Sequence, residues 1–150
     1  MNHGEENELT QTFDIQGGDF AHAGSVSTKI KEILKEVGID PVVIRRASIV
    51  AYEAEMNVVM YAQKGTFTLR LTPGQIHFRI EDEGPGIPDI DLAMQEGFST
   101  ATEEMREMGF GAGMGLPNIK KNADRFLISS LVGRGTMLSV YIFLRPEENP

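Results

Sequence analysis

The sequence predicts an α+β protein: a two-layer α/β sandwich with a mixed, mostly antiparallel sheet and its helices on one face. Three observations predict it. Two consecutive segments between residues 25 and 63 place apolar residues at helical spacing. The period then changes to two, in strand pairs joined by short turns. A long glycine-dense stretch separates the first strand pair from a further helix and a second strand pair.

Thr10–Ile15 alternates and reads as an entering strand. From Ser25 to Val37, the residues Val26, Ile30, Ile33, Leu34 and Val37 form a helical stripe that Gly38 closes. Asp40 suits an N-cap and Pro41 a first turn, opening a second helix that should run to about Gln63. Phe67–Leu71 and Ile76–Ile80 flank Thr72-Pro73-Gly74-Gln75 as a hairpin. Glu83 to Gly115 reads as loop, with a short helix near Asp89–Gln95. Leu116–Arg125 is expected to be helical, and Phe126–Val132 and Thr136–Leu144 to be strands around Gly133-Arg134-Gly135. Residues 1–8 and 146–150 read as tails, so one domain is expected.

Composition excludes several functions. The 150 residues contain no cysteine, which rules out disulfides and thiolate metal sites. No apolar run approaches the roughly 20 residues of a membrane helix, and the acidic start is unlike a signal peptide, so a soluble cytoplasmic protein without a membrane role is expected. With 14 Lys and Arg against 22 Asp and Glu, the net charge of −8 disfavours nucleic acid. His3, His22 and His77 lack metal-ligand spacing. The P-loop, the dinucleotide-binding glycine pattern and the H-R-D and D-F-G signatures are all absent.

Three constellations could do chemistry. Glu53 and Asn57 lie at i and i+4 on the second helix and share a face. They suit a proton-accepting carboxylate and an amide ligand for Mg²⁺, or simply two surface polars. Glu55, about 200° round the helix from Glu53, is expected to face water. Asp82, at a strand end before Gly84-Pro85-Gly86-Ile87, suits either a ligand amino group or an Asx turn. Gly109, Gly111, Gly113 and Gly115 alternate with Phe110, Ala112 and Met114 into a helix start, which suits phosphate or a flexible linker.

In this order the three segments resemble the ATP-binding fold shared by gyrase, Hsp90, histidine kinases and MutL, the Bergerat-type fold. The short chain, with Ile80–Gly97 and Gly113-Met114-Gly115-Leu116-Pro117, is most similar to the anti-sigma-factor serine/threonine kinases and their switch-kinase members. The resemblance spans about Ser25 to Leu144 and implies ATP and Mg²⁺ as cofactors. It implies Glu53 as general base, Asn57 as metal ligand, Asp82 on the adenine amino group, and Gly84, Gly86 and Ile87 beside the base. It further implies Gly111, Gly113 and Gly115 around the phosphates, with Gly109, Met114 and Leu116 in the same nucleotide-binding segment. Thr136 matches the family's Gly-x-Gly-Thr, and residues 97–108 match a lid that is longer and more acidic than expected and contains Arg106. The implied function is phosphorylation of a regulatory partner protein, either a STAS-type antagonist or a sigma factor, and a homodimer is allowed. The alternative is a nucleotide-gated binding protein without kinase turnover.

Overall fold

Residues 8–95 and 115–144 are described by the computed structural model. Strand β1 (Leu9–Gln16) leads through a 3₁₀ turn into α1 (Ser25–Glu36) and α2 (Pro41–Tyr61). Strands β2 (Lys64–Leu71) and β3 (Gln75–Glu83) follow, then the short α3 (Ile90–Ala93). After residues 96–114 come α4 (Gly115–Asn122), β4 (Arg125–Leu131) and β5 (Gly135–Phe143). The five strands form one sheet in the order β1-β2-β3-β5-β4, and every pairing among the described residues is antiparallel, with no mixed segment.

The strand period decides which face is covered. Phe67, Leu69 and Leu71 on β2 and Ile76, Phe78 and Ile80 on β3 point to the helices and are buried. Phe67 and Phe78 meet edge to face, with ring centroids 5.2 Å apart, a contact contributing about 0.5–1.5 kcal/mol beyond its area. Alternate residues such as Arg70, Arg79 and Glu81 lie on the open face.

Helix α2 is the spine of the helical layer. Asp40 caps it by accepting Val42 N–H at 2.8 Å, and Pro41 opens its first turn. Its core residues, among them Ile44, Ala47, Val50, Ala51, Met56, Val58 and Val59, leave little of it uncovered, because α1, α4 and the sheet all pack on it. That explains a correction: Glu55 does not face water. It is 1% exposed and faces the start of α1.

A second correction concerns the helix expected over Leu116–Arg125. It ends at Asn122, and Arg125 already pairs with Tyr141 in the sheet. Ala123 and Phe126 continue the apolar helical spacing, but the Asp124 N–H donates to Tyr141 O at 2.9 Å, so β5 claims that backbone. The Asn122 side chain folds back onto Asn118 O at 2.9 Å, within the last turn.

Candidate functional site

Four residues make slightly more than one helical turn, so α2 presents Glu53 and Asn57 on one face, both half-buried. The start of α4 stands over them. A Cβ on Gly115 would lie 3.3 Å from Asn57 Oδ1 and 3.6 Å from Glu53 Oε1. A helix N-terminus, whose first amides have no partner within the helix and whose dipole end is positive, thus stands beside a carboxylate and an amide oxygen. Asn118, one turn into α4, donates its Nδ2–H to Glu53 Oε2 at 3.0 Å. None of the three constellations that the sequence singles out gives Asn118 a role. The available signal was its place three residues after Gly115, on the same face of α4.

Farther along α2, a second cluster forms around Asp82. One carboxylate oxygen, Oδ1, accepts Thr136 N–H at 3.1 Å. Burial raises the pKa of this carboxyl, and the Thr136 N–H partly opposes the rise. The chain crosses itself closely here. A Cβ on Gly135, at φ +150°, would lie 2.0 Å from Asp82 O, and one on Gly86, at φ +77°, would lie 2.4 Å from Leu131 O. Only glycine fits either position. Gly133 N–H donates to Pro85 O at 2.7 Å, and Ile87 N–H to Ser130 Oγ at 2.7 Å, fastening the Gly84–Ile87 turn to the β4–β5 turn. Ser130 Oγ also lies 2.9 Å from Thr136 Oγ1, so Thr136 is held from both sides.

Gly84 ties the two clusters to one ruler. A Cβ there would lie 3.1 Å from Cα of Ala62, the residue that ends α2. Nine residues separate Glu53 from Ala62, about 13 Å at 1.5 Å per residue. Ile87 packs against the core, and Leu116 is buried in it, so Leu116 can offer a ligand its backbone only. Gly109, Gly111, Gly113, Met114 and Arg106, with the rest of the expected lid over residues 97–108, lie outside the described residues. His3 does too; His22 bonds to Asp19, and His77 stacks on Tyr141 and bonds to Ser139 Oγ. A concavity of about 680 Å³ opens beside Asp14, Lys64, Glu81, Asp82 and Glu83, but its carboxylates would repel phosphate.

The described residues contain no group of three His, Cys, Asp or Glu able to hold a metal ion. The donor set still fits Mg²⁺, a hard cation that keeps several waters and relies on substrate phosphates plus one or two protein oxygens. Asn57 Oδ1 is such an oxygen. No helix among the described residues is long and apolar enough to cross a membrane.

An antiparallel sheet backed by helices on one face, with an acid and an amide under a helix start and a half-buried aspartate at a strand end, defines an α+β two-layer domain. The comparisons name it. The family described as histidine kinase-, DNA gyrase B- and HSP90-like ATPase matches residues 43–147. The serine/threonine-protein kinase RsbT of Bacillus subtilis (strain 168) is 34% identical over 119 residues, 77% of this chain and 84% of that protein. An anti-sigma F factor of Caldanaerobacter subterraneus subsp. tengcongensis is 33% identical over 107 residues, 67% of this chain and 71% of the relative. A chain from the crystal structure of the SiaB–SiaC complex of Pseudomonas aeruginosa shares the fold, with a TM-score of 0.58 at 12% identity, covering 93% of this chain and 92% of that one. The chain belongs to the histidine kinase-, gyrase B- and HSP90-like ATPase family, whose common chemistry is the use of ATP.

Proposed function

We propose that the protein is an ATP-dependent serine/threonine kinase that phosphorylates a regulatory partner protein. One observation carries the reading: Glu53, one turn from Asn57, holds a carboxylate oxygen toward the start of α4. That is the place for a base beside a phosphate-receptive helix end. Similarity to a named serine/threonine kinase over most of the chain supports it.

In this reading Asp82 accepts the adenine amino group through the oxygen that Thr136 leaves open. Gly84 and Gly86 let the backbone approach the base, with Ile87 behind them. The amides from Gly115, joined by those of Gly109, Gly111, Gly113 and Met114, receive the phosphates, and Leu116 contributes backbone only. Mg²⁺, when bound, supplies positive charge to the phosphates, and Asn57 Oδ1 is the protein oxygen that would hold it. Glu53 takes the proton from the acceptor hydroxyl as that oxygen bonds to the γ-phosphorus. The bond from phosphorus to the bridging oxygen breaks, and its electron pair leaves with ADP. Arg106 and the rest of the 97–108 segment form the lid of this reading.

The partner is of the regulatory kind that an anti-sigma factor or switch kinase engages, a sigma factor or a STAS-type antagonist. The test is incubation with γ-labelled ATP and Mg²⁺ beside candidate proteins of those two kinds. Label on a partner serine or threonine is the expected result. Nucleotide-dependent co-elution without label would establish instead a nucleotide-gated binding protein, the second reading, which the anti-sigma F relative favours.

A further inference from the structure

The two oxygens of Glu53 are not equivalent, and α4 makes them so. Oε2 receives the Asn118 Nδ2–H at 3.0 Å. Oε1 lies on the Gly115 side, 3.6 Å from where a Cβ of that residue would stand, in the neighbourhood of Asn57 Oδ1. We infer that Asn118 is a positioning residue for the reaction: it holds Oε2, so that Oε1 is the atom that takes the proton. This rests on the reading of Glu53 as base.

The geometry behind Asn118 is well braced. Its backbone carbonyl accepts Asn122 Nδ2–H at 2.9 Å. Asn122 O in turn accepts Arg46 Nε–H at 3.1 Å, and Arg46 pairs with Asp124 at 3.2 Å. Arg46 and Glu53 are seven residues apart, two turns of the same face of α2. Helix α4 is therefore fastened to α2 at two levels, by Arg46 at its C-terminal end and by Asn118 near its start. The lower fastening sets the axial position of α4, and the upper one then delivers a single amide hydrogen to a single carboxylate oxygen. An unheld carboxylate on a half-exposed glutamate samples several rotamers, and fixing one of them is the kind of preorganisation that a proton transfer needs.

An amide nitrogen is a donor only, which makes the role specific to asparagine at this site. Asn118→Asp keeps the shape but sets a second carboxylate against Glu53, whereas Asn118→Ala merely releases it. The inference orders the variants: wild type, then Ala, then Asp. A purely structural role for Asn118 as a helix staple instead lowers the melting temperature in the same order and leaves the turnover rate of the folded protein unchanged.

The test measures steady-state release of labelled phosphate from γ-labelled ATP over a range of ATP concentrations by the purified full chain, with Mg²⁺ present and water as acceptor. Asn118→Ala is expected to lower the turnover rate about 10-fold while leaving KM for ATP within twofold. Asn118→Asp should lose more, and in a Glu53→Ala background neither change should lower the residual rate further. An equal loss in both backgrounds, a loss confined to KM, or an Asp variant more active than the Ala variant would overturn the inference. Circular dichroism of each variant separates unfolding from these outcomes. If Glu53→Ala itself turns over normally, the base reading falls. If Glu53→Ala is slow while Asn118→Ala is normal, only the role of Asn118 falls.

Discussion

Glu53 and Glu55 are the same residue type, two positions apart on one helix, and the fold treats them in opposite ways. Glu53 is half-buried beside Asn57, with one oxygen held by Asn118 and the other toward Gly115. Glu55 is 1% exposed, and both of its oxygens are engaged. Its Oε2 accepts Gly24 N–H at 3.0 Å and Val26 N–H at 3.2 Å, and its Oε1 accepts Ser27 N–H at 2.9 Å. Those amides are the first turn of α1, whose N-cap is Gly24 with no side-chain cap of its own. Glu55 thus caps another helix from a distance and places its charge at the positive end of the α1 dipole. The difference teaches that a carboxylate's role is set by how many of its acceptor sites the fold fills. With both oxygens engaged, it is structure; with one oxygen that has no partner among the described residues, it can take a proton.

The largest expected effect breaks the comparison from the Glu53 side. Glu53→Ala should cut phosphate transfer by about 10²- to 10⁴-fold. Its melting temperature should stay within a few degrees of wild type, because among the described residues Glu53 makes one hydrogen bond, to Asn118. Glu55→Ala should do the reverse. It strips three donors of a charged acceptor at once, at a cost of about 3–5 kcal/mol, which for a chain of this size lowers Tm by roughly 10 °C. At a temperature where both proteins are folded, its turnover should be near normal. Paired calorimetry and transfer assays on the two variants decide the matter; equal stability losses would show that the two glutamates are not divided in this way.

Asp82 sits between the two regimes and sharpens them through pH. Its carboxyl is half-buried, has one backbone donor, and titrates above the usual aspartate range because burial outweighs the Thr136 hydrogen bond. A carboxyl raised in the folded state favours the protonated form. Its contribution to stability is therefore full below the unfolded value and is lost as pH rises through the folded one. In the proposed reading nucleotide binding runs the opposite way, since the ionised carboxylate is the stronger acceptor for the adenine amino group. ATP affinity should fall on acidification with a midpoint above that of an ordinary aspartate, and Asp82→Asn should remove that step from a calorimetric titration. A midpoint unchanged in Asp82→Asn would exclude Asp82 from the adenine contact.

Much of this was legible from residues alone, and what was not has a physical reason. The turn Thr72–Gln75, the Asp40-Pro41 helix start and the period-two strands are local features, and they stand at or within a few residues of their expected bounds. The common face of Glu53 and Asn57 follows from helical pitch. Helical pitch points Glu55 to solvent because it gives a direction and not what lies there: α2 is covered on several sides, and the start of α1 arrives from elsewhere in the chain. The signal was present, since a helix with Val50, Ala51, Ala54, Met56, Val58 and Val59 has apolar residues around most of its circumference. Helix α4 ends before the expected Arg125 for a similar reason, since the Asp124 N–H is claimed by Tyr141 O, a partner far along the chain.

The smallest expected effect compares two ways of capping a helix in one molecule. Helix α2 is capped locally: Asp40, exposed, accepts a single N–H from Val42 at 2.8 Å. Helix α1 is capped remotely, by three bonds to a buried glutamate from α2. Water can replace the acceptor at Asp40 once the side chain is gone, so Asp40→Ala should cost about 1 kcal/mol, a few degrees in Tm. Water cannot enter at Glu55 without opening the packing between α1 and α2, so the same truncation there leaves the amides unpaired. The ratio of the two losses, measured by urea unfolding under one set of conditions, reports how dry the remote cap is. A Glu55→Ala loss no larger than that of Asp40→Ala would mean that water reaches the start of α1, and the saturated carboxylate would then be an ordinary surface cap.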